Sequence, residues 1–492
     1  MQAGPSVTVV GGGVAGLSAA CALAEVGLTV RLLERRPYLG GRAYSFRHPG
    51  SGELIDNCQH VVFGCCTNVM GFYRRAGVDR QIAWTDRITM IEPGGRRSVL
   101  GSGRLPAPLH GMPRFLAASA FDWRDKLALA RGLGAMMRGV PSGTSETLAQ
   151  WLRRHRQTPR AIERFWRLVI ASALNAEPEN IGADYAAMVI RELFVRSPEA
   201  GRMGMSRVPL GELYRGVQEF LKGKGAMVQL NTAVEGAEWD HLKQKWIVRL
   251  AGRASGSGGP PLQRDEKSGG DAASTVLRGE TVTSDFLVLA LPFEALGKLL
   301  PHLPPGGEPL AAQISRHEHW PILSVHLWFD RIITDLEHAV LLEGEFHWLY
   351  HKTRLQPGRP QDRSYVELVV SAARSFSAVP AEEIVARALR ALPRYFPAAA
   401  AAKLLDSSVV KEQKATFGVP PEIDSARPPA AAPWPNAFLA GDWIRTGWPS
   451  TMESAARSGH LAAEAVLRKT GNVKKLLEQD LPSRGLLIFR TR

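Results

Sequence analysis

The sequence predicts an α/β chain organised around a Rossmann-type dinucleotide-binding unit at its N-terminal end. Three observations carry that prediction. Val7 to Val10 are apolar or β-branched and run directly into Gly11-x-Gly13-x-x-Gly16, an Ala-rich stretch extends from there to Glu25, and Thr29 to Leu33 reads as a second strand closed by Glu34. Gly27 can end the intervening helix.

Each part of this unit has a physical task. Gly11 permits the tight turn, Gly13 lets the backbone approach a pyrophosphate, and Gly16 lets the helix lie close to the sheet. The phosphates then rest on the helix N-terminus, at Val14 and Ala15. Glu34 falls where a carboxylate accepts hydrogen bonds from an adenosine ribose.

The residues just after Glu34 separate flavin from nicotinamide. The run Glu34-Arg35-Arg36-Pro37-Tyr38-Leu39-Gly40-Gly41-Arg42 adds a second glycine turn and a cation after the acidic residue. It resembles the GGR signature of the large flavoprotein family that includes amine oxidases and carotenoid desaturases. The resemblance implies FAD, with Gly40, Gly41 and Arg42 on its pyrophosphate and Arg35 beside them.

Length and composition bound the rest. A chain of 492 residues, 45% hydrophobic and 22% charged, is long enough for two or three packed units. A net charge of +14 suggests an anionic partner surface. Nucleic acid is not expected, because no zinc-finger, RNP-type or basic-heptad pattern is present, whereas an anionic membrane surface fits. Cys21, Cys58, Cys65 and Cys66 match no zinc spacing, so no metal is expected. The first strand begins almost at once, without a signal-peptide pattern, and no apolar run is long enough to span a bilayer. The expected location is cytoplasmic, peripheral on the inner face of the cytoplasmic membrane.

Past the glycine turns, Ile55-Asp56-Asn57-Cys58-Gln59-His60-Val61-Val62-Phe63-Gly64 sets a dense polar cluster between apolar residues, which means a site or a satisfied core network. This segment resembles the squalene-associated FAD enzymes, the hydroxysqualene dehydroxylases of bacterial hopanoid synthesis, departing from them at Cys58. Pro106 to Arg207 reads as mainly helical. Asp122 and Asp125 mark a helix start, after which Trp123, Leu127, Ala130, Leu133 and Met137 recur at helical spacing as a core stripe. The turn Leu174-Asn175-Ala176-Glu177 again resembles the dehydroxylases, and by that analogy the region is a lid over a lipid tunnel.

Met227 to Trp239 reads as strand, turn and strand, and the resemblance places the backbone of Val234 on the adenine. Residues 251–278 read as a flexible insertion. Asp285 to Pro292 is a buried strand. Ile322 to Phe329 and Tyr365 to Ser371 suggest a second sheet, whose His326, Trp328, Phe346, His347, Trp348 and Tyr350 offer an aromatic wall. The last signature is Gly441-Asp442-Trp443 and then Thr446-Gly447-Trp448-Pro449-Ser450-Thr451-Met452-Glu453. By resemblance Gly441 and Asp442 hold the ribityl chain, while Thr451 and Met452 open a helix aimed at the flavin pyrimidine edge. Ser450 and Glu453 have capping-box spacing.

The resemblance thus implies a Rossmann-type FAD-binding domain (1–95, 208–300, 435–470), interleaved with a helical lid (96–207) and a mixed-sheet substrate domain (301–434). The tail, 471–492, mixes cations with short apolar runs and reads as a loose end. The implied activity is reductive removal of the hydroxyl of hydroxysqualene to give squalene, a triterpenoid substrate. Candidates for the proton-transfer site are His60, with Asp56 to orient and charge it, and Gln59. A carotenoid-type desaturase and a non-catalytic flavin-binding scaffold remain as alternatives. Cys58 is a candidate for covalent attachment, and the electron donor is left open.

Overall fold

The computed structural model describes residues 4–251 and 279–483. Apart from Ala251, the insertion expected over 251–278 lies outside the described residues, as does the tail beyond 483.

The N-terminal unit forms as its pattern dictates. Ser6–Val10 pairs in parallel with Thr29–Leu33 on one side and with Phe286–Leu289 on the other. Met227–Gln229 and Ala437–Leu439 complete a five-stranded parallel sheet assembled from distant parts of the chain. Helix α1 (Val14–Glu25) crosses between the first two strands and is buried almost throughout. Its approach depends on Gly16, where an added Cβ would stand 1.9 Å from the Gly11 carbonyl oxygen. The C-terminal helix Met452–Lys469 packs on α1 through Ala455, Ala456, Ala462 and Ala463, and Gly459 faces the α1 backbone. Small residues on both helices permit that closeness.

The second sheet has seven strands, built mainly on the antiparallel trio Leu404–Phe417, His319–Phe329 and Ser364–Val370. Arg87–Ile91 and Arg97–Gly101 pair as a hairpin and join its far edge through His338–Leu341. That corrects the expected boundary at 95, which cuts the hairpin. Main-chain pairing places these strands, and their short apolar pattern carries no sign of which sheet they join.

Helix α2 (Thr67–Arg75) lies against the C-terminal helix. The predominantly helical stretch contains α3 (Met112–Ala117), α4 (Trp123–Met137) and α5 (Leu148–Arg154). Asp122 and Asp125 form the expected capping box of α4. The expected core stripe is corrected: Trp123 and Leu127 are 70% and 51% exposed, and α4 buries Ala128, Leu129, Gly132, Ala135 and Met136 instead. Both faces carry apolar residues at helical spacing, so periodicity alone does not choose between them.

The tail departs from a loose end as far as Asp480. Leu476 is buried, its N–H and that of Leu477 donate to Glu464, and the Glu478 N–H donates to Asn68.

Candidate functional site

A cavity of about 970 Å³ runs from the first glycine turn to the face of the seven-stranded sheet. Its nucleotide end is built by two glycine turns laid together. The Gly40 N–H donates to the Gly12 carbonyl at 2.8 Å. A Cβ on Gly41 would come within 2.9 Å of the Gly13 Cα, and Gly41 has φ +63°, so the contact needs a bare backbone at Gly41. Gly11, Gly13, Val14 and Ala15 face the cavity where α1 begins, and that helix start has no side-chain cap. Its N-terminal N–H groups and positive dipole end suit a phosphate.

Glu34 closes the second strand with its carboxylate at the cavity, accepting the N–H of Gly12 at 2.7 Å and of Arg36 at 2.8 Å. Arg35, Gly40 and Gly41 border the same space, and Val234 enters from the start of the strand Val234–Asp240. Arg42 donates to Asp442 at 2.5 Å and to the Ala415 carbonyl at 3.0 Å. Gly441, Asp442, Thr451 and Met452 bring in the C-terminal signature opposite. Gly16 alone among the expected cofactor residues lies behind the wall, where it packs α1. An uncapped helix start, a bare glycine cradle and a carboxylate at the ribose position together fit FAD.

The capping box expected between Ser450 and Glu453 is corrected. Thr451 is the N-cap, accepting the Ser454 N–H, whereas Ser450 donates to Asp442 at 2.5 Å. Glu453 caps a different helix. Its carboxylate accepts the N–H groups of Asn68 and Val69 at the start of α2, and Arg457 at 2.7 Å. Burial pushes the Glu453 carboxyl up despite Arg457.

At the far end, Gln59 and His60 border the cavity and Asp56 does not. His60 Nδ1 meets the Cys58 carbonyl at 2.9 Å, and a carbonyl only accepts, so Nδ1 carries the proton and Nε2 is the free acceptor. Burial holds His60 below its ordinary range. The expected pairing of Asp56 with His60 is corrected. Asp56 accepts Ser45 Oγ at 2.7 Å, the Leu210 N–H at 2.8 Å and Lys352 Nζ at 3.0 Å. Burial favours its neutral form, but Lys352 and these donors prevail and hold it below the usual carboxylate range.

Lys352 is the central residue that sequence reasoning missed. Fully buried, it bridges Asp56, Glu367 at 3.4 Å and the Gln59 side-chain oxygen at 2.9 Å. Glu367 accepts the Gln59 N–H at 2.6 Å and Ser324 at 2.5 Å. The network holds the Cys58–His60 loop at the cavity wall. One signal was available: a glutamate inside the otherwise apolar strand Ser364–Val370. Cys58 borders the cavity, but burial pushes its thiol well above the ordinary range, against the thiolate a covalent link requires.

Val61, Phe63, Val189, Leu193, Ile322 and Trp348 give this end an apolar wall. Of the aromatic residues expected to line it, Trp348 and Tyr350 do so, stacked 5.7 Å apart, whereas His326, Trp328 and Phe346 are core and His347 lies off the cavity. Asn175, in the left-handed conformation at a helix end, ties the helical segment to this sheet through the Trp320 carbonyl, Thr416 and the Ala372 N–H.

A parallel nucleotide-binding sheet, a two-turn glycine cradle and an adjoining chamber with an apolar wall define an FAD-dependent oxidoreductase. The family model described as flavin containing amine oxidoreductase matches residues 14–467, and the chain belongs to that family. It is 25% identical to 15-cis-phytoene desaturase of Synechococcus elongatus, over 95% of this chain and 97% of that protein. With zeta-carotene desaturase of Synechocystis sp. the identity is 26%, over 94% and 97%. Among solved structures, putrescine oxidase bound to putrescine superposes with a TM-score of 0.64, 16% identity and coverage of 94% and 99%. An oxidoreductase from Methanosarcina mazei gives 0.67 at 12% identity, covering 94% and 100%. Both structures share the fold.

Proposed function

We propose that this flavoprotein reductively removes the hydroxyl of hydroxysqualene to form squalene. The observation that carries the reading is a pair of polar side chains, His60 and Gln59, set into the cavity wall beside the apolar Val61, Phe63, Ile322 and Trp348. A buried network of Lys352, Asp56 and Glu367 maintains them there, and burying such charges costs several kcal/mol per ion before pairing, roughly. A polyprenyl alcohol offers these side chains an oxygen to hold as it leaves, which a hydrocarbon does not. The sequence resemblance at Ile55–Gly64 and Leu174–Glu177 supports the same substrate.

FAD, when bound, supplies the two-electron exchange. The chain does the rest. The apolar wall grips the polyprenyl chain and excludes water. His60 Nε2 and the Gln59 amide hold the substrate oxygen, and the imidazole, once protonated, delivers the proton with which that oxygen leaves as water. Two electrons and two protons convert the alcohol to hydrocarbon and water.

A second reading is favoured by one specific feature. His60 is neutral with Nε2 open, which suits removal of a proton, as in the dehydrogenation that the names of the phytoene and zeta-carotene desaturases describe. The deciding experiment is anaerobic incubation of the reduced protein with hydroxysqualene, monitored by spectrum and product extraction. Squalene formation with flavin reoxidation is expected. Inertness toward hydroxysqualene combined with oxidation of phytoene overturns the first reading for the second, and inertness toward both leaves a flavin-binding scaffold.

A further inference from the structure

We infer that one face of the helical lid, formed by α3 and α4, docks on a bilayer containing anionic phospholipid. Trp123, Leu127, Arg131, Gly134 and Arg138 recur at intervals of three or four, so they share one side of α4 over about 22 Å. The first half of that side is apolar and the second half is cationic. Leu109, in the 3-10 turn before α3, and Met112 and Leu116 of α3 repeat the apolar spacing, with Leu116 57% exposed. Lys126 ties the two helices together by donating to the Leu116 carbonyl at 2.7 Å. An exposed apolar patch that contains a tryptophan beside cations matches the composition of interfacial helices.

The cationic half has a shape of its own. Arg131 and Arg138 of α4 face Arg154, His155 and Arg156 at the end of α5 across a groove of about 380 Å³. Arg154 is engaged with Glu146 at 2.6 Å and 2.8 Å, whereas Arg131, Arg138 and Arg156 pair with no carboxylate among the described residues. Three uncompensated guanidinium groups lining one groove complement a phosphate-bearing surface, and the chain's net charge of +14 acts in the same direction.

The opposite side of α4 packs on Ala183–Ile190, whose Met188 and Val189 line the substrate end of the cavity. One layer of helices therefore separates the docking face from the chamber. The inference does not depend on which polyprenyl compound is the substrate.

The test is vesicle flotation of the FAD-loaded protein with phosphatidylglycerol-containing and pure phosphatidylcholine vesicles. Binding should be at least about tenfold stronger to the anionic vesicles and should fall in roughly 0.5 M salt. Trp123→Ser with Leu127→Ser should lower binding by at least about tenfold. Arg131→Gln with Arg138→Gln should lower it about thirtyfold, from roughly 1 kcal/mol per cation at an anionic surface. Flavin content and melting temperature should stay at wild-type values, because none of these side chains is buried. Absence of wild-type binding, or unchanged binding by both variants, overturns the proposal. So does a wild-type dimer that Trp123→Ser converts to monomer without altering flotation, since the face would then belong to a second copy of the chain.

Discussion

Arg42 and Asp442, 400 residues apart in sequence, meet at 2.5 Å and join the two signatures that enclose the nucleotide end of the cavity. The Asp442 carboxylate is shared, with Arg42 on one oxygen and Ser450 on the other. Asp442→Ala releases both donors. A hydrogen bond to a charged group contributes about 1.5–3 kcal/mol, so FAD should bind at least about tenfold more weakly. Flavin fluorescence released on dilution measures this, and an unchanged dissociation constant would contradict it.

Glu453 couples the start of α2 to the C-terminal helix. Glu453→Ala leaves two buried N–H groups without their acceptor and Arg457 with Asp480 alone, which should cost about 2–4 kcal/mol in urea denaturation. Glu453→Gln retains an acceptor oxygen and should cost less. Equal losses in the two variants would show that the acceptor does not matter.

Lys352 compensates two buried carboxylates. Lys352→Met should destabilise the fold by about 3–5 kcal/mol, and adding Asp56→Asn with Glu367→Gln should recover most of that loss. Guanidinium denaturation of the single and triple variants checks it. A triple variant no more stable than the single one would remove charge compensation as the cause.

His60 makes the direction of chemistry visible in a pH profile. Its pKa lies below the ordinary histidine range because of burial. If imidazolium delivers the proton, dehydroxylation should rise as pH falls through a value below about 6.5. If neutral imidazole accepts a proton, turnover should fall over the same interval. His60→Gln should abolish either limb while retaining flavin. A profile that His60→Gln leaves unaltered would take His60 out of the proton transfer.

Buried neutral histidines should make the protein acid-sensitive. His317, His326 and His351 are lowered by burial to about 4, and His460 to about 3. Their folded pKa values lie below the unfolded value near 6.5, so the unfolded chain takes up protons first as pH falls. The stability they contribute is present above about pH 6.5 and is lost between there and about pH 4 for the first three, and down to about pH 3 for His460. Each group contributes a slope of up to about 1.4 kcal/mol per pH unit. Melting temperature measured across that window should drop steeply, and a flat profile would contradict it.

Much of the nucleotide end is legible without coordinates. Val7 to Glu34, the glycine turn at Gly40 and Gly41, and the segment around Asp442 each carry local requirements: a bare backbone, a strand period, a helix start. The substrate end is harder to read. Nothing local marks Lys352 as the partner of Asp56, because the two are brought together only when separate sheets pack. The stripe through Trp123 and Leu127 reads as core for a related reason: helical period reports that a face is apolar but not what covers it.

The amino-acid sequence by itself determined the α/β class, the FAD cradle and the residues that line it, because glycine geometry and short-range periodicity act over a few neighbouring residues. Only the tertiary structure decided that Asp56 binds Lys352 rather than His60, that Glu453 caps α2, and that α4 turns Trp123 outward. Those outcomes depend on which donors and surfaces arrive from hundreds of residues away, and a buried charge takes whichever partner the packing delivers.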